Sequence, residues 1–186
     1  MHFSRQFTVF AAAAATLASA NSITFVNQDA TKRTIVFTPN AGLQQIDSVV
    51  IAGNDETKVE FPQGWIGNAY SVSEGAANVV GMLAEVTFQG WNGLTYYDVS
   101  AIVNPNDHDG VKEMYPASER DAKEKVEVSG CAVFPCPKVY YHPDDVQTVT
   151  STEEDFVCTL GNPPATTAAR DVEVQMVARK FVLGKF

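Results

Sequence analysis

Two acidic residues and several aromatics share one short stretch, LAEVTFQGWNGLTYYDVS, residues 83–100. Its Asn92-Gly93 pair predicts a two-residue turn, because both central positions of a type I′ turn need φ > 0. Folding the chain there pairs Trp91 with Leu94, Phe88 with Tyr97 and Val86 with Val99. Ala84, Val86, Phe88, Tyr97 and Val99 then share one face, apolar enough to be core. The other face carries Glu85, Thr87, Gln89, Tyr96, Asp98 and Ser100. In that register Glu85 and Asp98 are diagonal neighbours, with Cβ atoms roughly 7–8 Å apart or somewhat less. Two carboxyls so placed can serve as general acid and base. A separation of about 6.5–9.5 Å suits inverting hydrolysis of a glycosidic bond. Thr87, Gln89 and Tyr96 could supply hydrogen bonds to a ligand, and Trp91 at the hairpin tip an exposed ring face. The plainer reading makes Glu85 and Asp98 ordinary outward-facing strand residues.

A second group of candidates lies in turn-rich sequence. NPNDHDGVKEMYP contains Asp107, His108 and Asp109, and YYHPDDVQT contains His142, Asp144 and Asp145. Imidazole and carboxylate ligands from both could hold a divalent cation and support a metal-dependent nuclease. Against this, Asp and Asn in such stretches commonly bond their own backbone, and neither spacing matches a calcium loop. Trp65, Tyr140 and Tyr141 join Trp91 and Tyr96 as aromatics able to stack on sugar rings. No phosphate-binding glycine pattern and no Gly-x-Ser-x-Gly occurs.

The elements that must position these residues are short and alternating. SITFVNQ, RTIVFTP, IDSVVIAG, KVEFP, AYSV, LAEVTF, YYDVSAIV and KVYYH are rich in β-branched and aromatic residues, with Gly, Pro, Asn and Asp between them. This spacing predicts an all-β antiparallel sandwich or barrel rather than βαβ units. The charged stretch 117–130 reads as a solvated loop with one helical turn.

The first twenty residues, MHFSRQFTVFAAAAATLASA, combine one Arg, an apolar run and a small-x-small ending, so they read as a secretory signal peptide cut after Ala20. The apolar run is too short to span a bilayer. The expected domain then covers residues 21–161, followed by a weakly packed tail, 162–186. The formal charge of -9 becomes -10 once Arg5 is removed, which leaves no electrostatic footprint for nucleic acid or anionic lipid. Three cysteines, Cys131, Cys136 and Cys158, predict one disulfide and one leftover thiol in an oxidising compartment.

Several of these stretches resemble a known family. LAEVTF followed by YYDVS is similar to a paired motif of thaumatin-like proteins, and CPKVYYHPDDVQTVTSTEEDFVC resembles their C-terminal cysteine segment. SITFVNQDATKRTIVFTPN resembles their first hairpin. The resemblance covers most of residues 22–158, in a shortened form like that of small secreted fungal members. It implies a thaumatin-like β-sandwich in which Glu85 and Asp98 line an acidic cleft that binds β-glucan, with weak endo-β-1,3-glucanase activity in some members. An arginine and a further aspartate of that cleft have no counterpart here, which favours binding over hydrolysis. By the same analogy Cys131 bonds Cys158, and Cys136 is the free thiol. The expectation is a monomer of the extracellular space or cell wall, without cofactor, that binds wall polysaccharide through Thr87, Gln89, Trp91 and Tyr96. A non-catalytic effector or structural wall protein is the third reading, beside the metal-dependent nuclease.

Overall fold

A computed structural model of the protein describes residues 21–162. The expected signal peptide and the tail after Asn162 lie outside the described residues. The strands are β1 (Asn21–Asn27), β2 (Arg33–Pro39), β3 (Val49–Ile51), β4 (Glu56–Phe61), β5 (Ile66–Ser73), β6 (Leu83–Thr87), β7 (Thr95–Ser100), β8 (Val111–Pro116), β9 (Ser129–Gly130), β10 (Val149–Ser151) and β11 (Asp155–Leu160). Among the described residues, helix is confined to single 3-10 turns at Trp91–Gly93 and Ala117–Glu119. The expected all-β architecture is observed. One sheet has the order β4-β1-β11-β8-β9 and the other β10-β7-β6-β5-β2-β3. Every ladder is antiparallel except β1 with β11, which run parallel.

Alternation decides which side chains enter the space between the sheets. From the first sheet come Ile23, Phe25, Val59, Phe61 and Phe156, and from the second Ile35, Phe37, Val86, Tyr97 and Val99, all buried. Their rings meet in a chain across the core. Phe25 lies 5.6 Å from Phe37, Phe37 5.6 Å from Phe61 and Phe61 5.6 Å from Phe88. Phe88 lies 6.1 Å from Phe156, and Phe156 lies 4.8 Å from Tyr97. Tilted and edge contacts of this kind add to the area that the rings bury.

Arg33 occupies an inward slot of β2 and is buried, yet its charge is fully used. Its Nε donates to Asn27 Oδ1 at 3.1 Å, Nη1 to Ser73 Oγ at 2.9 Å and Nη2 to Asp29 Oδ2 at 2.7 Å. The same Asp29 oxygen accepts from the backbone N–H of Asn162 at 2.9 Å, so the buried ion pair also fixes where the chain leaves β11. A buried charge is tolerable only when paired and hydrogen-bonded in this way.

The Leu83–Ser100 hairpin corrects one sequence expectation. The tip lies where the Asn-Gly pair put it: Asn92 and Gly93 have φ of 57° and 72°, and Leu94 N–H donates to Trp91 O at 3.3 Å. The register below the tip is shifted by two. Glu85 faces Asp98, Val86 faces Tyr97 and Thr87 faces Tyr96. Three residues, 88–90, separate Thr87 from Trp91 on one arm, against Thr95 alone on the other. The excess is absorbed at Gln89, where φ is 45°, while Phe88 N–H bonds to Trp65 O. A two-residue shift preserves the side-chain parity. The apolar face was therefore read correctly although its pairs were not.

The disulfide is also corrected. Cys131 bonds Cys136, with Cα atoms 6.4 Å apart, and Cys158 is the free, buried thiol. Cys158 sits mid-strand in β11, with a relative exposure of 0%, where the core encloses its sulfur. Burial pushes its thiol well above the usual range. Trp65, expected as an exposed stacking ring, is buried, and its indole N–H donates to Gln44 O at 2.9 Å. KVYYH forms no strand and contributes only an isolated bridge between Tyr140 and Ser100.

Candidate functional site

The shifted register aligns a polar row across the outer face of the six-stranded sheet. Thr38 of β2 faces Asn68 of β5, Asn68 faces Glu85 of β6, and Glu85 faces Asp98 of β7. Thr148, just before β10, completes the row and donates its hydroxyl to Asp98 Oδ2 at 3.4 Å. Tyr140 holds Thr148 in turn: the two hydroxyls are 2.8 Å apart, and Thr148 N–H donates to the Tyr140 oxygen at 3.2 Å. Around Glu85 and Asp98 the surface dips into an open cleft of about 290 Å³, also lined by Asn40, Ile66, Asn68, Thr87, Tyr96 and Thr148.

Directly opposed strand residues bring their Cβ atoms to roughly 4.5–5.5 Å, and like charges there are destabilising. The chain resolves the conflict with a proton. Asp98 Oδ1 is buried and accepts no hydrogen bond. Burial, and after it the facing Glu85, push the Asp98 carboxyl up to about 7, against a smaller downward pull from Thr148. Close to neutral pH the Asp98 carboxyl is therefore partly protonated.

Of the residues singled out in the sequence, Glu85, Thr87, Tyr96 and Asp98 come together in the cleft. Trp91 is exposed at the tip, and its carbonyl accepts from the Tyr96 hydroxyl at 3.3 Å, but its ring does not line the cleft. Gln89 is structural. Its side chain accepts from Gly64 N–H at 2.9 Å and from Asn21 Nδ2 at 3.0 Å, and donates to Asn21 Oδ1. Asn40, Asn68 and Thr148 were missed, because Asn40 follows β2, Asn68 lies in β5 and Thr148 precedes β10, segments whose place beside the hairpin is fixed only by the tertiary fold. The run read as a strand there, AYSV, begins at Ala69, whereas β5 begins at Ile66 and includes Asn68.

The Asp and His clusters are turn chemistry. Asp107 accepts backbone N–H bonds from Met82 at 2.8 Å and Gly110 at 2.9 Å, and Asp145 accepts from Tyr141 at 2.8 Å and His142 at 2.9 Å. Asp109 accepts from the Asn162 side chain, and the His108 ring packs 6.2 Å from Phe134. Among the described residues no three His, Cys, Asp or Glu side chains are grouped to hold a metal ion, so Asp107, His108, Asp109 and His142 do not assemble.

The fold and its cleft define a small two-sheet β protein with an opposed acid pair on its outer face. The chain belongs to the family of antigenic protein SchS21 of Stachybotrys chartarum. It is 51% identical to that protein over 140 residues, 75% of this chain and 94% of that one. No protein-family model matches the chain. Among solved structures, the protein elicitor MoHrip2 from Magnaporthe oryzae shares the fold, with a TM-score of 0.57 at 14% identity over 76% of this chain and 99% of that one. These relationships overturn the resemblance to thaumatin-like proteins, because the matched fold differs from thaumatin. Of the stretches that suggested it, LAEVTF and YYDVS form an alternating hairpin, a pattern that any half-exposed β ladder produces, whereas β1 and β2, expected as the first hairpin, lie in different sheets.

Proposed function

We propose that this protein is a secreted, non-catalytic effector, acting by being recognised at the surface of another organism. The observation that carries the reading is its membership in the family of an antigenic protein, at 51% identity across nearly all of that protein. One further point supports it: the fold is shared with a protein elicitor. The test uses the purified secreted chain, applied to leaf tissue while the oxidative burst is followed, and probed with antibodies raised against SchS21. Cross-reaction together with a dose-dependent burst is expected. Absence of both, with release of sugar from laminarin, would replace this reading with an enzymatic one. A second reading, retention on cell-wall glucan, is favoured by Tyr96 lining the cleft beside hydroxyl and amide groups. Co-sedimentation with insoluble β-1,3-glucan tests it.

A further inference from the structure

The charged stretch 117–130 forms the loop with one helical turn expected of it, but two of its side chains are tied down on the five-stranded sheet. Arg120 reaches β4 at the far edge of that sheet, where Nη1 donates to Glu56 Oε1 at 3.2 Å and Nη2 to Glu56 Oε2. The Lys125 ammonium lies 4.6 Å from the centre of the Tyr115 ring of β8. Between these anchors Lys123 and Glu124 are exposed and make no hydrogen bond or ion pair among the described residues. The backbone is bonded on either side of them. Ala122 N–H donates to Glu119 O at 3.1 Å, and Glu127 N–H to the Glu119 carboxyl at 3.2 Å. Other lysines lack this freedom. Lys58 lies within the β1–β4 ladder, and Lys112 is buried. Lys32 O accepts from Glu74 N–H at 2.8 Å, and Lys138 O from Gly130 N–H at 2.7 Å and the Ser129 hydroxyl at 3.3 Å.

We propose that the Lys123–Glu124 bond is a processing site, at which an endopeptidase selective for basic side chains nicks the folded chain and leaves a two-piece protein that stays assembled. A protease draws several residues into its cleft in extended form, so it cuts where the backbone is exposed and unbonded. Water adds across the amide, which leaves a carboxylate on Lys123 and an ammonium on Glu124. No disulfide then joins the two pieces, because Cys131–Cys136 closes within the second and Cys158 is free. Strand pairing joins them instead: β11 of the second piece lies between β1 and β8 of the first, and β10 lies against β7. Phe156 of the second piece also packs on Phe88 and Tyr97 of the first. Arg120 and Lys125 hold the loop to the sheet, so release of these anchors sets the rate of cutting. An exposed ion pair is a weak tether, and the loop lifts while the sandwich stays folded. The inference concerns this loop alone and stands apart from the effector reading.

Brief digestion of the secreted chain with a trace of lysine-specific endopeptidase tests it, read by intact mass and by the sequence of each new amino terminus. Cuts beyond residue 162 are scored separately. The first cut within residues 21–162 should create a chain that begins at Glu124. The two pieces should elute together from a sizing column and separate in denaturant without reductant. Lys123→Gln changes an exposed, unbonded side chain and should leave this loop uncut over the same time, since Lys125 is held on Tyr115. Glu56→Gln weakens the Arg120 anchor and should speed the Lys123 cut by about two- to fivefold, the scale of an exposed ion pair when local opening governs cleavage. A first inner cut elsewhere overturns the proposal, as do pieces that come apart on cutting. So does a cut after Lys125 at the wild-type rate in Lys123→Gln. A Lys123 cut no faster than global unfolding, and indifferent to Glu56→Gln, overturns it as well, because the bond would then be reached only in the unfolded chain.

Discussion

Replacing Asp98 by asparagine should stabilise the protein above pH 7 and leave it unchanged below pH 4. In the folded chain burial, and then the facing Glu85, raise the Asp98 carboxyl from 3.8 to about 7, so the folded state holds a proton that the unfolded chain has already released. The sign follows. Stability associated with Asp98 is fully present below pH 3.8 and is lost as the pH rises towards about 7. At about 1.4 kcal/mol per pH unit that interval amounts to at most about 4 kcal/mol, and partial exposure lowers it to about 2–4 kcal/mol. Asparagine mimics the protonated acid in shape and in offering a donor to Glu85, but it does not titrate. Urea unfolding of both proteins at half-unit steps from pH 3.5 to 8.5 measures the effect, and their difference cancels the titration of every other group. The difference should lie near zero at the acid end, grow in favour of the variant between pH 4 and 7, and level off above. A difference that stays flat across the range would refute the reasoning, because Asp98 would then ionise as it does in the unfolded chain.

Non-reducing peptide mapping should return a Cys131–Cys136 link, with Cys158 alkylated only after unfolding; a Cys131–Cys158 link would contradict the fold described here. Replacing Cys131 with serine should cost about 2 kcal/mol of unfolding free energy, the chain-entropy value for so short a loop. Phe156→Ala removes a ring that touches both Phe88 and Tyr97, and should cost about 3–5 kcal/mol in chemical denaturation. A loss under about 1 kcal/mol would mean the two sheets do not meet there. Gly93→Val should cost roughly 1–2 kcal/mol, because a β-branched residue is strained at the φ of 72° found there, whereas Gly93→Asn should be milder.

The sequence made side-chain parity legible and left pairing hidden. Ala84, Val86, Phe88, Tyr97 and Val99 are buried as alternation requires, and Asn92-Gly93 turns the chain where its backbone preference dictates. The two-residue shift was not legible, since nothing in PheGlnGly announces that Gln89 will take a φ of 45° and bond Asn21 and Gly64. That shift turns a diagonal acid pair into an opposed one, and the chemistry of the site follows from it. β8 and β11 were overlooked for another reason. VKEMYP and DFVCTL lie beside Asp, Gly and Glu clusters, and β11 owes its place to parallel pairing with β1, a contact between the two ends of the domain. Arg33 shares parity with Ile35 and Phe37 in RTIVFTP, so an inward charge was visible there, but its partners Asn27, Asp29 and Ser73 were not. The cysteine count announced one bridge and one thiol. Which pair forms depended on Cys158 lying mid-strand in the core.

The site and its chemistry rest on Glu85 and Asp98 facing each other, with the Asp98 carboxyl raised by burial and by the Glu85 charge. Carbon-13 NMR of the side-chain carboxyl of Asp98, followed from pH 3 to 9 and assigned by its loss in Asp98→Asn, reads that directly. The account expects the Asp98 carboxyl to titrate at about 7 and to move towards its ordinary 3.8 when Glu85 is replaced by glutamine, burial alone then holding it up. A midpoint near 3.8 in the wild-type protein, indifferent to Glu85, would contradict it.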